Sequence, residues 1–130
     1  MKEYIEVQLI RKASEFLMLV EKKTARIKKY SNFLEAMKED AAEINALVAL
    51  GYECYNEKER VECYKKAMKL CENVLFYSRL FYEYQRMTKN GYAVIKYQGE
   101  LLNRLLDGLM KVEKQSKVRE QYLFNLKFAK

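Results

Sequence analysis

The sequence predicts an all-α fold, an antiparallel up-down-up-down four-helix bundle. Three observations carry this. Apolar residues recur at helical spacing from about Ile5 to Lys111, and the pattern breaks at only three places. There is no proline to interrupt a helix, and there are only four glycines. Half of the 130 residues are apolar, enough for the core of one domain.

The first helix is expected over residues 3 to 29. Ile5, Leu9, Ala13, Phe16, Val20 and Ile27 share one face, with Leu17 and Thr24 beside them. It closes on a basic run, Lys22, Lys23, Arg26, Lys28 and Lys29, where cations suit the negative end of the helix dipole. Ser31 and Asn32 are the expected caps of the second helix, and Asn32 with Glu35 has capping-box spacing. That helix carries Phe33, Met37, Ala41, Ile44, Val48, Gly51 and Tyr55 on one stripe, with Leu47 and Cys54 adjacent. Asn56 with Glu59 repeats the capping-box spacing and predicts a tight turn into the third helix.

The third helix has two apolar stripes. One is Cys63, Ala67, Leu70, Val74, Tyr77, Phe81 and Tyr84; the other is Val61, Tyr64, Met68, Cys71 and Leu75. So wide an arc predicts a helix covered on more than one side, with another subunit as one source of cover. Thr88-Lys89-Asn90-Gly91 is the expected third break, because Asn and Gly tolerate the left-handed conformation that ends helices. The fourth helix carries Val94, Leu101, Leu102, Leu105, Leu109 and Val112. The bundle is expected over 1–112. Residues 113–130, EKQSKVREQYLFNLKFAK, form a basic aromatic tail that either extends the fourth helix or folds only on contact with a partner. No internal repeat is found.

The formal charge is +7, and it is uneven. Residues 1–31 hold 8 Lys/Arg against 4 acids, whereas residues 32–56 hold 1 against 5. The basic residues cluster at Lys22 to Lys29, at Lys65, Lys66 and Lys69, and in the tail at Lys114, Lys117 and Arg119. Many such side chains merely solvate helix surfaces. Clustered and interleaved with aromatics, they are also the electrostatic footprint of nucleic-acid binding, without base-specific reading. The 11 Tyr and 6 Phe fit crowded packing first, then a protein interface or stacking on bases, for which Tyr122 and Phe124 are candidates. Arg79, Arg86 and Arg104 are candidates for bidentate phosphate or carboxylate contact, or for plain surface ion pairs.

Much chemistry is excluded. With no histidine there is no His-based triad, no Arg-x4–6-His ribonuclease motif and no Glu-x-x-His di-iron pattern. No glycine-rich phosphate loop occurs. Cys54, Cys63 and Cys71 sit at apolar helical positions without CxxC spacing, so they are expected to be core thiols rather than metal ligands. No cofactor, metal or catalytic residue is expected. No stretch approaches the ~20 apolar residues of a membrane span, and the N-terminus lacks a signal-peptide core, so the chain reads as cytoplasmic.

From Phe33 to Lys111, about 60 % of the chain, the breaks and stripes resemble a family of small four-helix-bundle proteins. That family includes proteins encoded in ribosomal-RNA intervening sequences and the accessory variability protein of diversity-generating retroelements. The resemblance lies in Lys38-Glu39-Asp40-Ala41-Ala42 and the apolar run to Asn56, in Glu59-Arg60 through Ala67, and in Tyr92-Ala93 with Leu101 through Leu109. In the last of these, Arg104 and Gly108 hold the places of the family's Arg and its Gly-containing step. The Phe-Pro-Lys corner before the second helix and the late Trp of the fourth are missing here; Lys29-Tyr30-Ser31-Asn32-Phe33 and Leu109 stand nearest. The resemblance implies a ring-shaped homo-oligomer, a pentamer in the retroelement branch. It also implies a non-catalytic accessory role that contacts a reverse transcriptase and its template RNA or cDNA. A structural or protein-interaction bundle without a nucleic-acid role is the alternative.

Overall fold

Four helices form: α1 (Lys2–Thr24), α2 (Ser31–Glu53), α3 (Glu57–Glu83) and α4 (Lys89–Phe128). The computed structural model describes the backbone of residues 2–128 and the side chains of residues 4–113. Among the described residues there is no strand.

Each helix packs on its sequence neighbours, and α1 also packs on α4. The pairs run antiparallel. Phe33 near the start of α2 meets Tyr77 late in α3, and Gly51 near the end of α2 meets Tyr64 early in α3. Arg60, Cys71 and Tyr82 along α3 meet Glu113, Gly99 and Tyr92 in reverse order along α4. The all-α four-helix expectation is therefore borne out. Short connections leave an antiparallel return as the available route.

The core is one cluster. Leu9, Ala13, Phe16 and Val20 of α1 face Met37, Ala41, Ile44 and Val48 of α2, Ala67, Cys71 and Val74 of α3, and Ile95, Leu102, Leu106 and Leu109 of α4. In α2 the core face takes Leu34 rather than Phe33, and Tyr55 is fully exposed beyond the helix end. In α4 Ile95 and Leu106 are buried, while Val94, Leu101, Leu105 and Val112 are only half-buried.

The two stripes of α3 are used largely within the chain. Tyr77 of the first packs on Phe33 of α2. Leu75 of the second would lie 2.7 Å from a Cβ on Gly99 of α4, and the Cys71 thiol donates to the Gly99 carbonyl oxygen at 3.3 Å. The width of the arc thus reflects two neighbouring helices of the same chain.

Besides the end of α2, which falls at Glu53 short of Tyr55, three helix ends differ from expectation. Helix α1 stops at Thr24, five residues early. Ile27 turns in to cover the end of the core, and its N–H donates to the Thr24 carbonyl at 3.0 Å. Arg26, Lys28 and Lys29 therefore stand on the connection, and the dipole argument applies to Lys22 and Lys23 alone. Helix α2 is not capped by Ser31 or Asn32. Its N-cap is Tyr30, left-handed at φ 60° and ψ 44°, with no side-chain cap. The third break lies at 84–88, not at Asn90-Gly91. Gln85 takes the left-handed place at φ 61°. The Arg86 N–H donates to the Phe81 carbonyl and the Gln85 N–H to that of Tyr82, the paired bonds of a Schellman motif. Asn90 and Gly91 fall in the first turn of α4, where the Gly91 N–H donates to the Thr88 hydroxyl at 3.0 Å. The expected cap at Asn56 is present, its side chain accepting from the N–H groups of Lys58 and Glu59.

Two glycines give opposite expectations. A Cβ on Gly51 would lie 2.7 Å from the ring of buried Tyr64, which is confined by the core. Gly51→Ala should therefore destabilise the bundle by about 1–3 kcal/mol, the usual scale of overpacking. A Cβ on Gly108 meets nothing within 4 Å, so Gly108→Ala should stabilise it by about 0.5–1 kcal/mol through helix propensity. Urea denaturation of the two variants checks both signs.

Candidate functional site

The antiparallel order brings four helix ends to one pole: the end of α1, the start of α2, the end of α3 and the start of α4. Lys22, Lys23, Arg26, Lys28, Lys29, Arg86 and Lys89 belong to these ends. Only Lys23 is half-buried; the others are exposed. The carboxylates on the same ends are fewer: Glu21, Glu35 and Glu83. Glu83 is held by Arg79 of its own helix at 3.0 Å. An excess of cations with few local counter-charges makes this pole the positive end of the described molecule.

Beside the cations lies an aromatic cleft of about 240 Å³, lined by Tyr30, Phe33, Tyr77, Leu80, Phe81 and Tyr84. It opens between the start of α2 and the end of α3. Tyr30 and Tyr84 have ring centroids 5.9 Å apart, tilted by 39°, and the Arg86 guanidinium lies 6.0 Å from the Tyr30 ring centroid. Tyr30, Phe33 and Tyr84 are about half exposed or more. The left-handed backbone of Tyr30 costs on the order of 1–2 kcal/mol for a non-glycine residue. In this conformation the ring lies against Tyr84 and Arg86.

The expected basic clusters are not all brought together. Lys22 to Lys29 join Arg86 at the pole. Lys65, Lys66 and Lys69 are exposed on α3, and even Lys69 lies about 20 Å short of that helix's end. Arg104 is exposed on α4, about 22 Å along the helix from Lys89. Arg79 makes the surface ion pair just described. Lys114, Lys117, Arg119, Tyr122 and Phe124 have side chains outside the described residues.

The opposite pole buries its charge. The Arg60 Nη1 donates to Glu113 Oε1 at 2.7 Å and its Nη2 to the Cys54 carbonyl oxygen at 2.5 Å. Glu113 and Glu6 are both buried, and Tyr64 lies within their electrostatic reach. Burial pushes the Tyr64 hydroxyl far up, with Glu6 adding to it. Nothing in the sequence pairs Arg60 with Glu113, 53 residues away.

The cysteines are free thiols. Burial pushes Cys71 up to about 12 and also raises Cys63, which has Cys54 beside it. Such thiols stay protonated at neutral pH. Cys63 and Cys71 are buried as expected, whereas Cys54 is half-buried at the end of α2. Among the described residues no helix is long and apolar enough to cross a membrane.

Compared with models of known protein families, the chain matches none, and no curated protein matches it.

Proposed function

We propose that this protein is a non-catalytic accessory bundle that holds single-stranded RNA or cDNA on its basic pole, beside a reverse transcriptase. The observation that carries the nucleic-acid part is the convergence of Lys22, Lys23, Arg26, Lys28, Lys29, Arg86 and Lys89 on one end of the bundle. Lysines there act as point charges for phosphate, and arginines add directed hydrogen bonds. The reverse-transcriptase partner and a five-membered ring are what the family resemblance implies. Self-association would draw on apolar side chains left exposed, foremost Tyr4, Val7 and Met18, which share one face of α1.

Binding of a fluorescent single-stranded oligonucleotide, followed by polarisation across a salt series, tests the proposal. Five neutralised phosphates give a log–log slope of about −3.5, roughly a hundredfold loss between 50 and 200 mM salt. Affinity should depend little on base sequence. No better than millimolar binding at low salt would remove the mechanism. Light scattering over a concentration series should show a stable assembly, and a monomer at tens of micromolar would remove the ring.

A second reading has its own observation. The cleft is walled by five aromatic rings and a leucine, a surface that also suits a protein segment. On that reading the protein is an interaction bundle without a nucleic-acid role.

A further inference from the structure

We infer that the cleft between the start of α2 and the end of α3 seats one unpaired nucleobase, while Lys28, Lys29 and Arg86 hold the phosphates flanking it. This rests on the nucleic-acid reading above and names the part of the strand that enters the bundle.

Three features favour a base as the occupant. The first is the state of the rings. Tyr82 and Tyr92 are already stacked, with centroids 5.1 Å apart and planes within 5°. Tyr30 and Tyr84 are tilted by 39°, and each keeps much of its surface open to solvent. Solvent-exposed aromatic rings can stack on any base, which gives affinity without sequence preference. The second is size. At about 240 Å³ the cleft falls below the ~300 Å³ where pockets for drug-sized ligands begin. It has room for one flat ring system. The third is charge. Lys28 and Lys29 directly precede Tyr30, and Arg86 stands over its ring. A base carries its phosphates on either side, so an apolar slot with cations at its rim matches a nucleotide strand. The Tyr hydroxyls at the cleft can meet the polar edge of the base.

The strained backbone of Tyr30 supplies a clean test. Glycine adopts φ 60° without penalty, so Tyr30→Gly removes the ring and keeps the turn. Tyr84→Ala removes an exposed ring at the end of α3. The probes are an eight-nucleotide strand of deoxyadenosine and a fully abasic strand of the same length and charge. The wild-type protein should prefer the strand with bases about tenfold, the scale of one stacked base. Both variants should bind the two strands alike, at the abasic level, with the salt slope unchanged. Melting of Tyr30→Gly should be no lower than wild type, and Tyr84→Phe should keep the preference. Equal binding of the two strands by wild type, with a steep salt slope, would overturn the cleft and leave the basic pole standing. Retention of the preference by both variants would also overturn it, and absence of binding to either strand would remove the seat and the pole together.

Discussion

Replacing Lys22, Lys23, Arg26, Lys28 and Lys29 together by glutamate is expected to abolish binding of single-stranded nucleic acid. The change turns the largest part of the positive pole negative. Attraction becomes repulsion at five of the pole's seven cations, and each lost phosphate contact also removes its counterion release. The loss at low salt should exceed a hundredfold, beyond the reach of polarisation at micromolar protein. The bundle should survive. Four of the five side chains are exposed, and three lie on a connection rather than in a helix. Reversing Lys22 and Lys23 costs about 0.3–1 kcal/mol each through the dipole at the end of α1. Circular dichroism should therefore show an unchanged helix content. Reversal of Lys65, Lys66 and Lys69, about 20–27 Å down α3, is the matched control. It should weaken binding far less. An equal loss from the control would mean that charge alone, and not the pole, governs binding.

Arg60→Met should be the most destabilising single change at the other pole. Arg60 donates to the buried Glu113 carboxylate and to the Cys54 carbonyl at the end of α2, and it lies in the field of the buried Glu6 carboxylate. Breaking a fully buried pair from one side costs about 3–5 kcal/mol; here the arginine is only half-buried, so a loss of about 1–3 kcal/mol is expected. Against a total of about 5–15 kcal/mol for a domain, that is a large share. Adding Glu113→Gln should return part of the loss, a coupling read in urea denaturation. Oligonucleotide binding at the basic pole should not change while the variant remains folded. A variant as stable as wild type would show that the pair contributes nothing.

The fold was legible in the sequence where the signal is local. Helical spacing depends on residues three and four apart, so Leu9, Ala13, Phe16 and Val20 could be read as one face. The Asn56 cap was legible for the same reason: its partners, Lys58 and Glu59, are two and three residues away. The helix ends at Tyr30 and Gln85 were not. Both are non-glycine residues in the left-handed region, where propensity points to Asn or Gly, so the Asn90-Gly91 signal drew the break too far along. Phe33 and Leu34 are adjacent and both apolar; only the contact with α3 turns Leu34 to the core and Phe33 to Tyr77. The candidate site shows the same division. The cluster Lys22 to Lys29 is contiguous and was readable, whereas Arg86 joins it across more than fifty residues of chain.

By itself the sequence determined the all-α class, the four helices, the net positive charge and the absence of histidine chemistry, because these follow from composition and short-range periodicity. Only the tertiary structure decided which apolar stripe meets which helix, that half-buried Arg60 pairs with buried Glu113, and that Tyr30, Phe33, Tyr77 and Tyr84 wall one cleft beside the basic pole. Those juxtapositions link residues dozens of positions apart. They arise from the antiparallel return of each helix, which no local pattern encodes.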